Sequence, residues 1–293
     1  MSSDSEPHFK YYHYDPSLAG ACILAVLFGA LTIWHSILIS KHRTWYFIPL
    51  AIGGVFEFVG YISRAVSNKQ APNPTIGPFV IQTLLLLLAP ALFAASIYMI
   101  LGRIIISVDG ESLSPIKKRW LTKVFVTSDV ISFFVQLGGG GLMASSHAST
   151  SNLGSHIVLA GLLIQIVIFG FFVVVALVFH RRLRARPTSR CDDPSLPWKK
   201  FLYIVYITSG FIMIRSIVRV AEFVQGFEGT IMLHEVYLYV FDAVPMAAVM
   251  GVFSIWYPSN FSNQARKAIV DRESGGSNAE FELSNGEISN VEH

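Results

Sequence analysis

Glu57, Arg64, Gln82, Asp129, Gln136, Arg215, Arg219, Glu222 and Asp242 stand inside stretches of sequence that are otherwise apolar. In a lipid bilayer an ionisable side chain at mid-depth costs at least about 2.5–3.5 kcal/mol on insertion scales, so it needs a partner or a wet cavity. The set holds the cations Arg64, Arg215 and Arg219 and the anions Glu57, Asp129, Glu222 and Asp242. Near-balance across separate segments is what mutual pairing requires. The chemistry on offer is ionic. Two uses are open at this point: salt bridges that fix helix packing, or a polar pocket that binds the head group of an amphiphile. The two are compatible.

Spacing groups these residues. In "RSIVRVAEF" (215–223), Arg215, Arg219 and Glu222 fall at i, i+4 and i+7, one face of a helix. Glu57 and Arg64 are also seven apart and share a face. With a rise of 1.5 Å per residue, Glu57 lies about 18 Å and Arg64 about 28 Å along a helix starting at Trp45. Counted from Lys200, Arg215, Arg219 and Glu222 lie about 22, 28 and 33 Å along theirs. Asp242 is about 10 Å into a helix running the other way from Glu235. These six residues share one half of a bundle. Gln82 and Gln136 reach a similar depth, and Asp129 lies nearer the middle.

The elements that must position them are membrane spans. Of the 293 residues, 53% are hydrophobic and 14% charged, against about 25% charged in a soluble domain. The apolar residues gather in blocks near 17–40, 45–66, 78–107, 120–145, 155–180, 200–223 and 235–257. Each is long enough to cross a hydrocarbon core of about 30 Å. The expected fold is an all-α, polytopic bundle of seven transmembrane helices. Residues 1–16 form an outer N-terminal segment, 17–257 the membrane domain, and 258–293 a disordered tail rich in Ser, Asn, Gly and Glu. Pro49, Pro90 and Pro245 fall inside spans and are expected to kink or unwind them. "QLGGGGLMA" (136–144) predicts either a close helix contact or a broken helix lining the outer cavity.

Orientation follows from the basic residues. Lys41 and Arg43, "KKR" at 117–119, the loop "RRLRARPTSRCDDPSLPWKK" (181–200), and Arg266, Lys267 and Arg272 all fall on one side. The other side holds Lys10 and Lys69. The positive-inside rule puts the N-terminus outside and the C-terminus in the cytosol. Trp45, Tyr46, Trp120, Trp198 and Trp256 sit at the cytosolic ends, as an interfacial aromatic belt would. The acidic N-terminus has no basic n-region or A-x-A site, so the first span is expected to do the targeting itself.

Several chemistries lack their motifs. No G-x-x-x-x-G-K-[ST] loop supports an ATP-driven pump, and no G-x-S-x-G elbow supports a serine hydrolase. Cys22 and Cys191 lie far apart and predict no disulfide. His147, His156, His234 and Glu235 fall on the outer side without H-x-x-x-H spacing. A metal or haem held by His156 and His234 is therefore a minor alternative, and no cofactor is expected. His35 is expected as a polar residue near the cytosolic interface. Seven spans also fit a G-protein-coupled receptor, but the third span ends "ILGRIII" and the seventh lacks N-P-x-x-Y.

Long colinear segments point more sharply. "FIPLAIGGVFEFVGYISRA" (47–65), "IQTLLLLLAPALFAASIYMILGRII" (81–105) and "LTKVFVTSDVISFFVQLGGGGLMA" (121–144) resemble the fungal lipid-translocating exporter family, the RTA-like seven-transmembrane proteins. So do "RSIVRVAEFVQG" (215–226), "HEVYLYVFDA" (234–243) and "PSLAG" (16–20). The resemblance covers about residues 11–258. It implies a fungal integral membrane protein, mostly of the plasma membrane, that handles amphiphiles without an ATP motor. Sphingoid long-chain bases, toxic sterol-like amphiphiles and, in one branch, porphyrins are the implied substrates, and stress resistance the implied role. The family's motif polar residues map onto Glu57, Arg64, Gln82, Asp129, Gln136, Arg215, Arg219, Glu222 and Asp242.

The sequence thus predicts a lipid exporter or translocase whose partners are membrane lipids and amphiphilic small molecules, not nucleic acid. Self-association into a homo-oligomer stays open. One alternative is a lipid-sensing, receptor-like protein that signals through its basic loop and tail. Another is a haem-binding or metal-dependent membrane protein.

Overall fold

The computed structural model describes residues 17–69, 76–143, 148–194, 196–225 and 235–258. Within them the chain folds as seven helical segments packed side by side. Helix α1 spans Leu18–His42, α2 Ile48–Lys69, α3 Ile76–Ser107, α4 Lys118–Met143, α5 Ala148–Ala185 and α6 Trp198–Gln225. The seventh segment, α7, is built in three consecutive pieces. A turn of α-helix, Glu235–Leu238, leads into a π-helical stretch, Tyr239–Ala243, and then an α-helix, Val244–Ile255.

Sequence chemistry explains the ends. Ser17 caps α1, its side-chain oxygen accepting from the Gly20 amide at 3.2 Å, which satisfies one of the orphan first-turn donors. Arg43 closes the same helix in the left-handed conformation. Pro49 is the second residue of α2. It therefore opens that helix rather than kinking it, because a proline in the first turn removes no helical hydrogen bond. The neighbouring Leu50 amide, another orphan donor, is taken by Ser96 Oγ of α3 at 3.0 Å. Helix α5 runs 38 residues, past the basic "RRLRA", and ends just before Pro187. Its apolar centre marks the membrane, whereas its C-terminal end is set by a helix breaker. The chain is thus helical well beyond the 155–180 block.

Six helices among the described residues are long and apolar enough to cross a membrane. Large apolar side chains such as Ile23, Val26, Ile33, Val167 and Val224 point outward, each more than half exposed. Only lipid makes such a surface stable. The inside is packed with rings: Phe28, Phe47, Phe93, Tyr98, Phe125, Phe172, Phe179 and Phe253 are fully buried. The protein is a polytopic membrane helix bundle.

Close approach between neighbours is made by glycine. A Cβ on Gly53 of α2 would stand 2.6 Å from the Phe93 ring of α3. A Cβ on Gly139 of α4 would stand 2.7 Å from the Gly154 carbonyl oxygen of α5. Such backbone contact is how membrane helices associate when no hydrophobic effect drives them together. Within the four-glycine run only Gly139 makes this contact, a Cβ on Gly138, Gly140 or Gly141 meeting nothing, and α4 continues unbroken through Gly138–Gly141.

At the end of the bundle opposite the N-terminus, the chain is tied by side chains. Thr44 and Tyr257 share a hydroxyl–hydroxyl hydrogen bond. Tyr46 is buried beneath Arg103, whose guanidinium carbon lies 4.1 Å from the ring centre. Trp198 is buried too and donates to the Cys191 carbonyl at 3.2 Å. Trp45 and Trp120 remain outward, as a belt residue should. His35 is fully buried rather than interfacial; its Nε2 lies 3.0 Å from the Met250 carbonyl and 3.1 Å from Ser254 Oγ.

Candidate functional site

Helices α2, α6 and α7 bring their polar residues together at one level of the bundle. On α6, Arg215 and Arg219 face α7, one turn apart. Arg215 Nε pairs with Oδ1 of Asp242, and Arg219 Nη2 with its Oδ2 at 2.9 Å. Both oxygens of one carboxylate are thus taken, each by a different guanidinium. Arg219 also reaches Glu222 Oε2 at 3.1 Å through Nη1. Arg215 and Asp242 are almost wholly buried; the side chains of Arg219 and Glu222 keep 14% and 15% of their exposure.

A second acceptor for Arg215 comes from a proline. Pro90 has no amide hydrogen, so the Leu86 carbonyl four residues earlier lacks its helical donor. Arg215 Nη2 donates to that carbonyl. The proline thus turns α3 into a backbone ligand for a guanidinium, which a neutral side chain at 86 would not advertise. Asp242 is positioned by the other irregularity. It lies in the π-helical stretch, and such stretches recur at functional sites. Pro245, also lacking an amide hydrogen, sits two residues past its end.

Arg64 of α2 is buried against α7. Its guanidinium carbon lies 5.4 Å from the centre of the Tyr239 ring, and Nε donates to the Tyr239 hydroxyl at 3.4 Å. That hydroxyl in turn donates to the Ser17 carbonyl at 3.4 Å. Gly20 makes room: a Cβ there would stand 2.6 Å from the tyrosine ring. The ring is a cation–π platform wedged between α1 and α2.

Glu57 completes the group and differs from the rest. It is 1% exposed and within electrostatic reach of Asp242, Arg215 and Arg219. None of the ion pairs includes it, and its Oε1 finds no hydrogen-bond partner. Tyr61, one turn on, is fully buried with its hydroxyl equally unpartnered. The cavity beside the arginines is about 20 Å³, lined by Arg215, Val218, Arg219, Glu222, Tyr237, Phe241 and Asp242. That is room for a water molecule, not for a head group.

The remaining site candidates lie elsewhere or at the edge. Gln82 is buried one turn before Leu86, and its backbone carbonyl lies against Gly60 of α2. Asp129 is buried between α3 and α4, where the Tyr98 hydroxyl donates to its Oδ2 at 2.9 Å. Gln136 of α4 donates through Nε2 to Gln165 Oε1 of α5 at 3.0 Å. Sequence depth places Gln136 level with the arginines and Asp129 nearer the middle; the helix packing puts both on another seam. His156 is exposed on α5, and His147 and His234 lie outside the described residues. Among the described residues no three His, Cys, Asp or Glu side chains gather for a metal.

Tyr61, Tyr239 and the Leu86 carbonyl were not among the sequence candidates. Pro90 signals the carbonyl, and the Gly20 of "PSLAG" signals a ring packed on α1.

A family model described as RTA1 like protein matches residues 50–265. The chain belongs to that family. RTA1-like relatives in Saccharomyces cerevisiae include Protoporphyrin uptake protein 1, 37% identical over 86% of this chain and 93% of that protein. Protein RTM1 is 38% identical over 87% of this chain and 94% of its own length. The Sphingoid long-chain base transporter RSB1 is 25% identical over 83% of this chain and 72% of its own. No solved structure matches the chain. The matched segment starts within α2 and runs past α7, so it includes every member of the ionic cluster.

Proposed function

We propose that this RTA1-like protein translocates amphiphilic lipids, with sphingoid long-chain bases the leading class, and binds their head group at the α2–α6–α7 cluster. One observation carries the reading. Glu57 is a buried carboxylate with an unused oxygen beside two guanidiniums already occupied by other carboxylates. An ammonium head group supplies the missing partner. Asp242 is committed to two arginines and Glu222 to one, so Glu57 is the carboxylate left to meet it. The hydrocarbon chain lies between helices in the bilayer. With only about 20 Å³ beside the arginines, the described arrangement is the closed one, and loading requires α6 and α7 to part. The named sphingoid base transporter among the relatives supports the substrate class.

The basic loops support an outside N-terminus and a cytosolic C-terminus, which puts the cluster in the outer half of the membrane. The family resemblance favours the plasma membrane.

Flux of a labelled sphingoid base through proteoliposomes tests the reading. Glu57→Gln should abolish it in a protein that still purifies as a folded monodisperse species. Undiminished flux in that variant and in Glu222→Gln would remove the head-group assignment.

A second reading has its own support. The relative named for protoporphyrin uptake is 37% identical to this chain, and the paired arginines suit porphyrin carboxylates if Asp242 gives way. Porphyrin accumulation that competes with sphingoid base, and falls in Arg219→Gln, would favour it.

A further inference from the structure

We propose that Glu57 is a proton-exchange site. It holds one proton while the cluster is closed and releases it when an amphiphilic cation binds, so that one cation moves against one proton. This rests on the head-group reading above and adds the energy source to it.

The surroundings of Glu57 carry the argument. Arg215, Arg219, Glu222 and Asp242 balance one another in charge and are joined by three ion pairs. A carboxylate anion at 57 would be an additional buried charge without a hydrogen bond, which a protein interior does not tolerate. Every neighbouring element has been spent. From α2 itself, Tyr61 offers an unpartnered hydroxyl and Arg64 is two turns away against Tyr239. Helix α3 offers uncharged Gln82 and a Leu86 carbonyl that Arg215 already uses. Helix α1 faces this level with Phe28, stacked on Tyr61 at 5.6 Å. From α6 come the two engaged arginines and Glu222, and from α7 Asp242, whose charge opposes an anion at 57, and Tyr239. A bound proton removes the surplus charge without moving any helix.

The exchange balances. The O–H bond of the Glu57 carboxyl breaks and its proton passes to water admitted as α6 and α7 part. The carboxylate left behind pairs with the incoming ammonium. One positive charge leaves the site as one enters, so the net charge between the helices is the same loaded and empty. Reprotonation expels the cation. An acidic compartment on one side therefore draws the amphiphile toward it, with no nucleotide needed.

Two measurements on the full-length protein test this. The first is infrared spectroscopy of the purified protein at neutral pH. A carbonyl stretch of a neutral carboxylic acid should be present, survive Asp129→Asn and vanish when Glu57→Gln is added to that variant. It should fade when N,N,N-trimethylsphingosine is added, with release of about one proton per molecule bound. This probe has no uncharged form, so it does not follow pH gradients by itself. The second measurement places the protein in phosphatidylcholine vesicles with an acidic interior. The probe should accumulate about tenfold per pH unit, the ratio that one-for-one exchange sets. Accumulation should collapse with a protonophore and be absent in Glu57→Gln and in protein-free vesicles. Flux that ignores the pH gradient or follows sodium instead overturns the exchange while leaving amphiphile transport standing. A carboxyl band that is absent, or that persists when Asp129→Asn and Glu57→Gln are combined, overturns it as well. No binding and no flux under any gradient removes the head-group reading together with the exchange.

Discussion

Two polar regions lie inside this bundle, and they are built differently. The α2–α6–α7 region concentrates guanidiniums and carboxylates around a π-helical stretch, a proline-freed carbonyl and a small cavity. The α3–α4–α5 region uses single hydrogen bonds, Tyr98 to Asp129 between α3 and α4 and Gln136 to Gln165 between α4 and α5, the latter two helices brought into backbone contact by glycine. The second is what packing alone asks of a membrane bundle: small residues for approach and a few polar pairs for register. The first goes beyond that. It leaves Glu57 Oε1 and the Tyr61 hydroxyl buried without hydrogen-bond partners, beside charges that are costly to keep in a membrane. Irregular backbone collects at α7 and at Pro90 of α3, whereas α4 and α5 meet as regular helices in glycine contact.

Four substitutions would break or sharpen this contrast. Asp242→Asn should have the largest effect, because it strips two buried arginines of their shared partner; loss of about 3–5 kcal/mol is expected, read as a large drop in thermal midpoint in detergent. Gly139→Leu should follow, at about 1–3 kcal/mol from overpacking against the α5 backbone, with the transport mechanism unaltered in whatever protein folds. If Gly139→Leu proved milder than a surface change, the α4–α5 seam would not be the rigid partner of the comparison. Tyr98→Phe removes one interhelical hydrogen bond and should cost about 1 kcal/mol, while amphiphile flux stays at the unmodified level; lost flux would move Asp129 into the functional region. Glu222→Gln should be the mildest, about 0.5 kcal/mol, since Arg219 keeps Asp242 and the pair is partly solvated. Differential scanning of all four on one preparation gives the order directly.

The grouping of Arg215, Arg219, Glu222, Glu57, Arg64 and Asp242 was legible because helical period and rise convert spacing into face and depth. The same counting set Gln136 level with the arginines and Asp129 nearer the middle, but it could not give the seam on which they lie. Depth is a property of one helix, whereas azimuth depends on which neighbours it packs against. Tyr239 was hidden for a related reason: a π-helical stretch changes the face on which each following residue lies, and a uniform period of 3.6 misplaces it. His35 read as interfacial from its distance to the span end, yet it ties α1 to Met250 and Ser254 of α7.

Composition and periodicity by themselves determined a helical membrane bundle, the approximate spans and the presence of buried charge, because lipid admits few other ways to place such a chain. The family followed from long colinear motifs. Only the tertiary structure decided which charges meet. It gave Asp242 to two arginines, spent the Leu86 carbonyl freed by Pro90, and left Glu57 over. A pairing of that kind depends on distances between helices far apart in sequence, and those distances are set by ring packing and glycine contacts rather than by the spacing within any one helix.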